Sequence, residues 1–105
     1  MPCARAGHSA SVYRDSDGEY MVIFGGKDHV FEKLDDLWMF TFKTGKWQKL
    51  EHKSPGPLGR SGHSSTCKDD FFMVFGGIFE ITKELNDTYV YDMRQRDWVT
   101  LGDVE

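Results

Sequence analysis

The chain has 105 residues, with 13 Lys and Arg against 17 Asp and Glu, a formal charge of −4 and an aromatic content of 14%. Disordered chains are poor in aromatic rings, and a nucleic-acid footprint needs clustered positive charge that this acidic balance does not supply. No apolar run approaches the roughly 18 residues of a membrane-spanning helix, so the expected partners include neither nucleic acid nor membrane.

The opening Met-Pro-Cys-Ala-Arg-Ala-Gly-His has no apolar signal core. Cys3 and Cys67 make neither a disulfide framework nor a CxxC metal pair. Both features set the expectation of a reducing, cytoplasmic setting.

In chain order, residues 8–13 are small and β-rich and end at the turn-forming Asp15-Ser-Asp-Gly18. Residues 20–24 form a continuous apolar run stopped by Gly25-Gly26. Residues 36–43 alternate Leu37, Met39 and Thr41 with Trp38, Phe40 and Phe42, the period of a strand. Gly45 then supplies a residue tolerant of positive φ for a hairpin turn, and residues 47–50 make a short last strand. Residues 51–59, with Ser54-Pro-Gly-Pro57, read as a loop. Strands follow again at 62–68, 71–75, 87–92 and 97–101, with at most one helical turn over 79–85.

The second half copies the first. Arg5-Ala-Gly-His-Ser9 returns 55 residues later as Arg60-Ser-Gly-His-Ser64. Val22-Ile-Phe-Gly-Gly26 returns 51 residues later as Met73-Val-Phe-Gly-Gly77, followed at the same offset by Leu85-Asn-Asp87 for Leu34-Asp-Asp36, Tyr89 for Trp38, Trp98 for Trp47 and Leu101 for Leu50. The change of offset is one four-residue gap, placed at Asp15-Ser-Asp-Gly18. Two four-stranded units of about 50 residues, 1–53 and 54–105, point to propeller blades.

The repeated Arg-x-Gly-His-Ser, Phe-Gly-Gly, Leu-x-Asp and trailing Trp resemble the kelch repeat, over roughly residues 5–101. The resemblance implies an all-β fold: two four-stranded antiparallel kelch-type blades, part of a β-propeller. It places the first strand of each unit nearest the propeller axis, where small side chains fit. It buries the second strand on both faces, and it makes Trp38/Tyr89 and Trp47/Trp98 plates between blades. Closed propellers use about 4–8 blades, so two blades leave outer faces bare. The expectation is a segment of a longer propeller. The alternatives are blades supplied by a partner or by copies of the chain, or a two-blade stub.

The functional expectation is a protein-interaction module presenting inter-strand loops to a protein partner. A structural blade completing a larger assembly is the alternative, and a fragment of a propeller enzyme ranks lower. Some propellers that resemble kelch repeats are enzymes, including a copper oxidase, but they gather their chemistry from several blades or another domain. Neighbouring Ser and His, as in His8-Ser9, project to opposite faces of a strand and make a poor triad. No catalytic, metal or cofactor residue is therefore expected. His8 and His63 read as structural, and Cys67 as a small buried residue on a first strand. The loops after the glycine doublets differ between the copies, Lys27-Asp-His-Val-Phe-Glu-Lys33 against Ile78-Phe-Glu-Ile-Thr-Lys-Glu84. The candidate contacts are Lys27, Asp28, His29, Phe31 and Glu32 in the first loop and Ile78, Phe79 and Glu80 in the second. Arg5 and Arg60 join them, because arginines at similar places can contact acidic peptides in kelch modules. Their alternative role is to bond carbonyls of an adjacent blade.

Overall fold

The computed structural model describes residues 2–80, 83–85 and 87–99, with only the backbone at 80, 83 and 84. The expected end of the last strand, 100–101, lies outside these residues. Strands β1 (Ser9–Asp15), β2 (Gly18–Phe24), β3 (Leu37–Thr41) and β4 (Lys46–Leu50) form one antiparallel sheet in sequence order. Strands β5 (Ser64–Lys68), β6 (Phe71–Phe75), β9 (Thr88–Asp92) and β10 (Asp97–Val99) form the second in the same order. Between β6 and β9 a short ladder pairs β7 (Ile78–Glu80) with β8 (Lys83–Glu84). That ladder occupies the stretch expected to hold one helical turn. Ile78 is tied to Ser61 by two backbone hydrogen bonds of 2.9 and 3.1 Å, which holds this segment extended.

The four-residue gap has a simple structural meaning. Both first hairpins close with two turn residues, Asp15 pairing with Gly18 and Lys68 with Phe71. β1 and β2 have seven residues each, whereas β5 and β6 have five. The insertion therefore adds two rungs to one hairpin and leaves its turn intact.

The two sheets pack face to face, with β1 beside β5. Blade 1 contributes Tyr13, Val22, Phe24, Leu37, Met39 and Leu50, and blade 2 contributes Phe72, Val74, Tyr91, Met93 and Trp98. Phe24 sits at the centre, edge-on to Trp98 at 5.6 Å and to His63 at 5.3 Å. Burying such a ring contributes about 2–3 kcal/mol by area.

Because side chains alternate along a strand, each sheet has a second face. On blade 1 this face carries Val12, Met21, Ile23, Trp38, Phe40 and Trp47, as their cross-strand pairing shows. On blade 2 it carries Thr66, Met73, Phe75, Thr88, Val90 and Val99. β2 is buried on both faces through Val22, Ile23 and Phe24, as expected. β6 is not: Phe72 and Val74 are covered, but Phe75 is 53% exposed, because none of the described strands lies against its outer side. Likewise Tyr89 and Trp98 meet between the blades, at 6.1 Å, whereas Trp38 and Trp47 belong to the outer face.

Candidate functional site

Loops at one end of the sheets are set by the glycine doublets. Gly25 and Gly26 have φ of 72° and 95°, the left-handed region that favours glycine. A Cβ on Gly25 would come within 2.8 Å of the Arg60 carbonyl and of the His63 ring. The Gly26 amide donates to that same Arg60 carbonyl at 2.7 Å, and the Arg60 amide donates back to the Leu34 carbonyl at 3.1 Å. Backbone thus meets backbone across the blade boundary. His63 completes the junction with Nε2 at 2.7 Å from Ser9 Oγ. Burial pushes the His63 pKa down to about 4, so its ring is neutral at pH 7.

The two arginines are spent inside their own blades. Arg5 bonds both oxygens of Asp36, and its Nη1 donates to the Gly25 carbonyl at 3.1 Å. Arg60 does the same with Asp87 and the Gly76 carbonyl, at 3.0 Å for the carbonyl. Arg60 is fully buried, and the Arg5 side chain is only 4% exposed. Burial alone would raise the Asp36 pKa. Hydrogen bonds from Arg5 and from Trp38 Nε1 outweigh it and hold the carboxyl below its usual value. Both guanidiniums therefore tie a glycine doublet to the start of the third strand. The carbonyls they bond belong to their own blade, not to an adjacent one, and neither side chain is displayed to solvent.

The first loop is different. Asp28 Oδ1 accepts from the Val30 amide at 3.0 Å and the Glu32 amide at 3.1 Å, while the Phe31 amide donates to the Asp28 carbonyl at 3.0 Å. Lys27 bridges to Ala6 on one side and Lys33 on the other, closing the base of the loop. Asp28 is thus a cap that fixes the loop, not a free acidic contact. At the tip Phe31 adopts φ of 64°, unfavourable for a bulky side chain. Its ring is 74% exposed, with Lys27 Nζ at 5.7 Å from the ring centre. His29 and Glu32 are exposed beside it. Val30, which sequence reasoning passed over, is 62% exposed next to Phe31. The signal that could have found it was adjacency: two apolar residues in the middle of a charged loop.

In the second loop Ile78 is 41% exposed and Phe79 is half-buried. The side chain of Glu80, and residues 81 and 82, lie outside the description. At the opposite end a cleft of about 540 Å³ lies between the β1–β2 turn and the Arg94–Arg96 turn. Its groups satisfy one another in part: the Tyr13 hydroxyl donates to Asp70 at 2.8 Å, and Arg94 stands 3.8 Å from the same carboxylate. Among the described residues no group of three or more His, Cys, Asp or Glu stands where it could hold a metal ion. Among them no helix is long and apolar enough to cross a membrane.

Two four-stranded antiparallel blades, joined through glycine doublets and Arg–Asp clamps, define a β-propeller segment. The sequence matches the KLHDC2/KLHL20/DRC7 Kelch-repeats domain over residues 1–103, and the chain belongs to the kelch-repeat family. It is 34% identical over 98 residues to human host cell factor 2, covering 91% of this chain and 12% of that protein. It is 35% identical over 95 residues to an F-box/kelch-repeat protein of Arabidopsis thaliana, covering 86% and 19%. It is 31% identical over 106 residues to human kelch domain-containing protein 2, covering 93% and 25%. The chain thus spans a quarter or less of the length of these relatives. Kelch-repeat domains serve in general as protein-interaction modules.

Proposed function

We propose that this segment binds a protein partner through the loop that follows its first glycine doublet, with Val30 and Phe31 as the anchor. Lys27, His29 and Glu32 form a polar rim around that anchor, and the Ile78–Glu80 segment extends the surface. The observation that carries this reading is Phe31 itself. A ring held outward in a left-handed conformation, by a loop that Asp28 caps, is built for display rather than for packing. Aromatic anchors inside a polar rim dominate interface energetics. The role is binding rather than catalysis. The free cysteines Cys3 and Cys67 fit a reducing, cytoplasmic setting, which is part of the same proposal.

The test is site-specific photocrosslinking in cells, with the crosslinker at position 30 and, as a control, at the exposed Gln48. A discrete protein adduct at 30, absent at 48 and lost when Phe31→Ser is added, supports the loop. Equal adducts at both positions, or adducts untouched by Phe31→Ser, would overturn it.

A further inference from the structure

Residues 51–59 carry the chain from blade 1 to blade 2, and among the described residues they make no backbone–backbone hydrogen bond. One carboxylate holds the middle of this segment. Asp97, the first residue of β10, accepts the Lys53 amide at 3.0 Å and the Ser54 amide at 2.9 Å on Oδ1, and the Ser54 hydroxyl at 2.9 Å on Oδ2. These bonds, above all the one from the Ser54 amide, hold the Asp97 carboxyl below its ordinary value. On either side, the Tyr91 hydroxyl donates to the Glu51 carbonyl at 2.7 Å, and Gly56 lies against Trp98, where a Cβ would come within 2.7 Å of the indole Nε1. The tie to Asp97 is not part of the repeat, since the residue 51 positions before Asp97 is Lys46.

Ser54 is also the only Ser or Thr in the sequence that is followed by proline. A serine before proline is the acceptor pattern of proline-directed protein kinases. The surroundings suit an incoming enzyme: Lys53 and Pro55 are exposed on either side of Ser54, which is itself half-buried and lies outside any strand. No ladder has to open to free its hydroxyl, only the bonds to Asp97.

We infer that Ser54 is a phosphorylation site, and that its phosphate unties the inter-blade segment from β10. In the transfer, Ser54 Oγ attacks the γ-phosphorus of a nucleoside triphosphate held by the kinase. The Oγ–P bond forms and the bond from that phosphorus to its bridging oxygen breaks. A nucleoside diphosphate leaves, and the hydroxyl proton passes to a base of the kinase. The product carries about two negative charges and has no hydroxyl proton left to donate to Asp97. One donor is lost, and a second anion arrives where two amides already converge on a carboxylate. Like charges so close repel. The phosphate turns toward solvent and the exposed Lys53, and the segment lifts from Asp97 and Trp98. None of these residues belongs to the Phe31 surface.

The test incubates the chain with a purified proline-directed kinase and ATP. The expected product carries one phosphate, located at Ser54 by tandem mass spectrometry and absent from Ser54→Ala. Asp97→Asn loosens the hydroxyl's tie and is expected to speed the transfer several-fold. Val22→Ala, which weakens the core within blade 1, is expected to leave the rate unchanged. No phosphate on Ser54 would overturn the inference. So would rates that rise equally in the two variants, because the kinase would then be modifying unfolded chain. Amide exchange followed by NMR reads the consequence. Phosphorylation is expected to speed exchange at the Lys53 and Ser54 amides by about tenfold or more, and to shift the Trp98 indole N–H resonance. In Asp97→Asn the same amides exchange fast from the start, and the phosphate adds little. Exchange that stays unchanged in the phosphorylated chain would refute the untying.

Discussion

Phe24 and Phe75 occupy the same place in two copies of one motif, yet Phe24 is fully buried and Phe75 is 53% exposed. His63 and His8, and Trp98 and Trp47, divide in the same sense. The residues have not changed; their neighbours have. In a repeat fold the stability assigned to a side chain belongs partly to the next unit. Within one chain, Phe24, His63 and Trp98 each therefore have a control that lacks that neighbour.

The largest expected contrast lies in the central rings. Phe24→Ala removes a ring wedged between Trp98 and His63 and leaves a cavity, at a cost of about 3–5 kcal/mol. Phe75→Ala removes a half-exposed ring and costs about 1 kcal/mol in the single chain. Urea denaturation of both variants measures the difference. Equal losses would break the comparison, by showing that Phe75 is covered under the conditions used.

A smaller effect comes from His63. Burial lowers its pKa from 6.5 to about 4, so the folded state holds fewer protons than the unfolded state between those values. Stability therefore falls as pH drops from about 6.5 to about 4, by roughly 2–3 kcal/mol. The lowered carboxyls of Asp36 and Asp97 lose their contribution only below their ordinary value of 3.8, so the windows are separable. Denaturant titrations at pH 7, 5 and 4 are expected to show this slope in the unaltered chain and to show it flattened in His63→Gln. A slope that survives the substitution would assign the effect to other groups.

The copies also explain what sequence could and could not reveal. Strand order and hairpin positions were legible, because period, turn residues and repeat spacing are local signals. Which copy of a ring is covered was not, since Phe24 and Phe75 carry the same local pattern. The clamps were read only halfway. Arg5 and Arg60 were marked by their repetition, but nothing local paired them with Asp36 and Asp87, which lie 31 and 27 residues away. In the candidate loop, apolar composition drew attention to Phe31. Its left-handed backbone and the capping role of Asp28 are tertiary outcomes that the residue types alone do not encode.

The smallest contrast tests the backbone itself. The β3–β4 and β9–β10 turns have the same form: the Gly45 amide donates to the Thr41 carbonyl at 2.8 Å, and the Arg96 amide donates to the Asp92 carbonyl at 2.8 Å. Both residues sit at positive φ, 68° and 58°, so Arg96 bears a steric penalty that Gly45 does not. Gly45→Arg is therefore expected to destabilise the chain by about 1 kcal/mol. Arg96→Gly relieves the same strain but frees the unfolded chain and removes the bond from Arg96 Nε to the Met93 carbonyl, leaving a gain of about 0.5 kcal/mol or less. The two exchanges should thus differ in sign, a difference readable as opposite shifts of the thermal midpoint. Matching signs would mean that side-chain contacts, not backbone conformation, decide which residue each turn accepts.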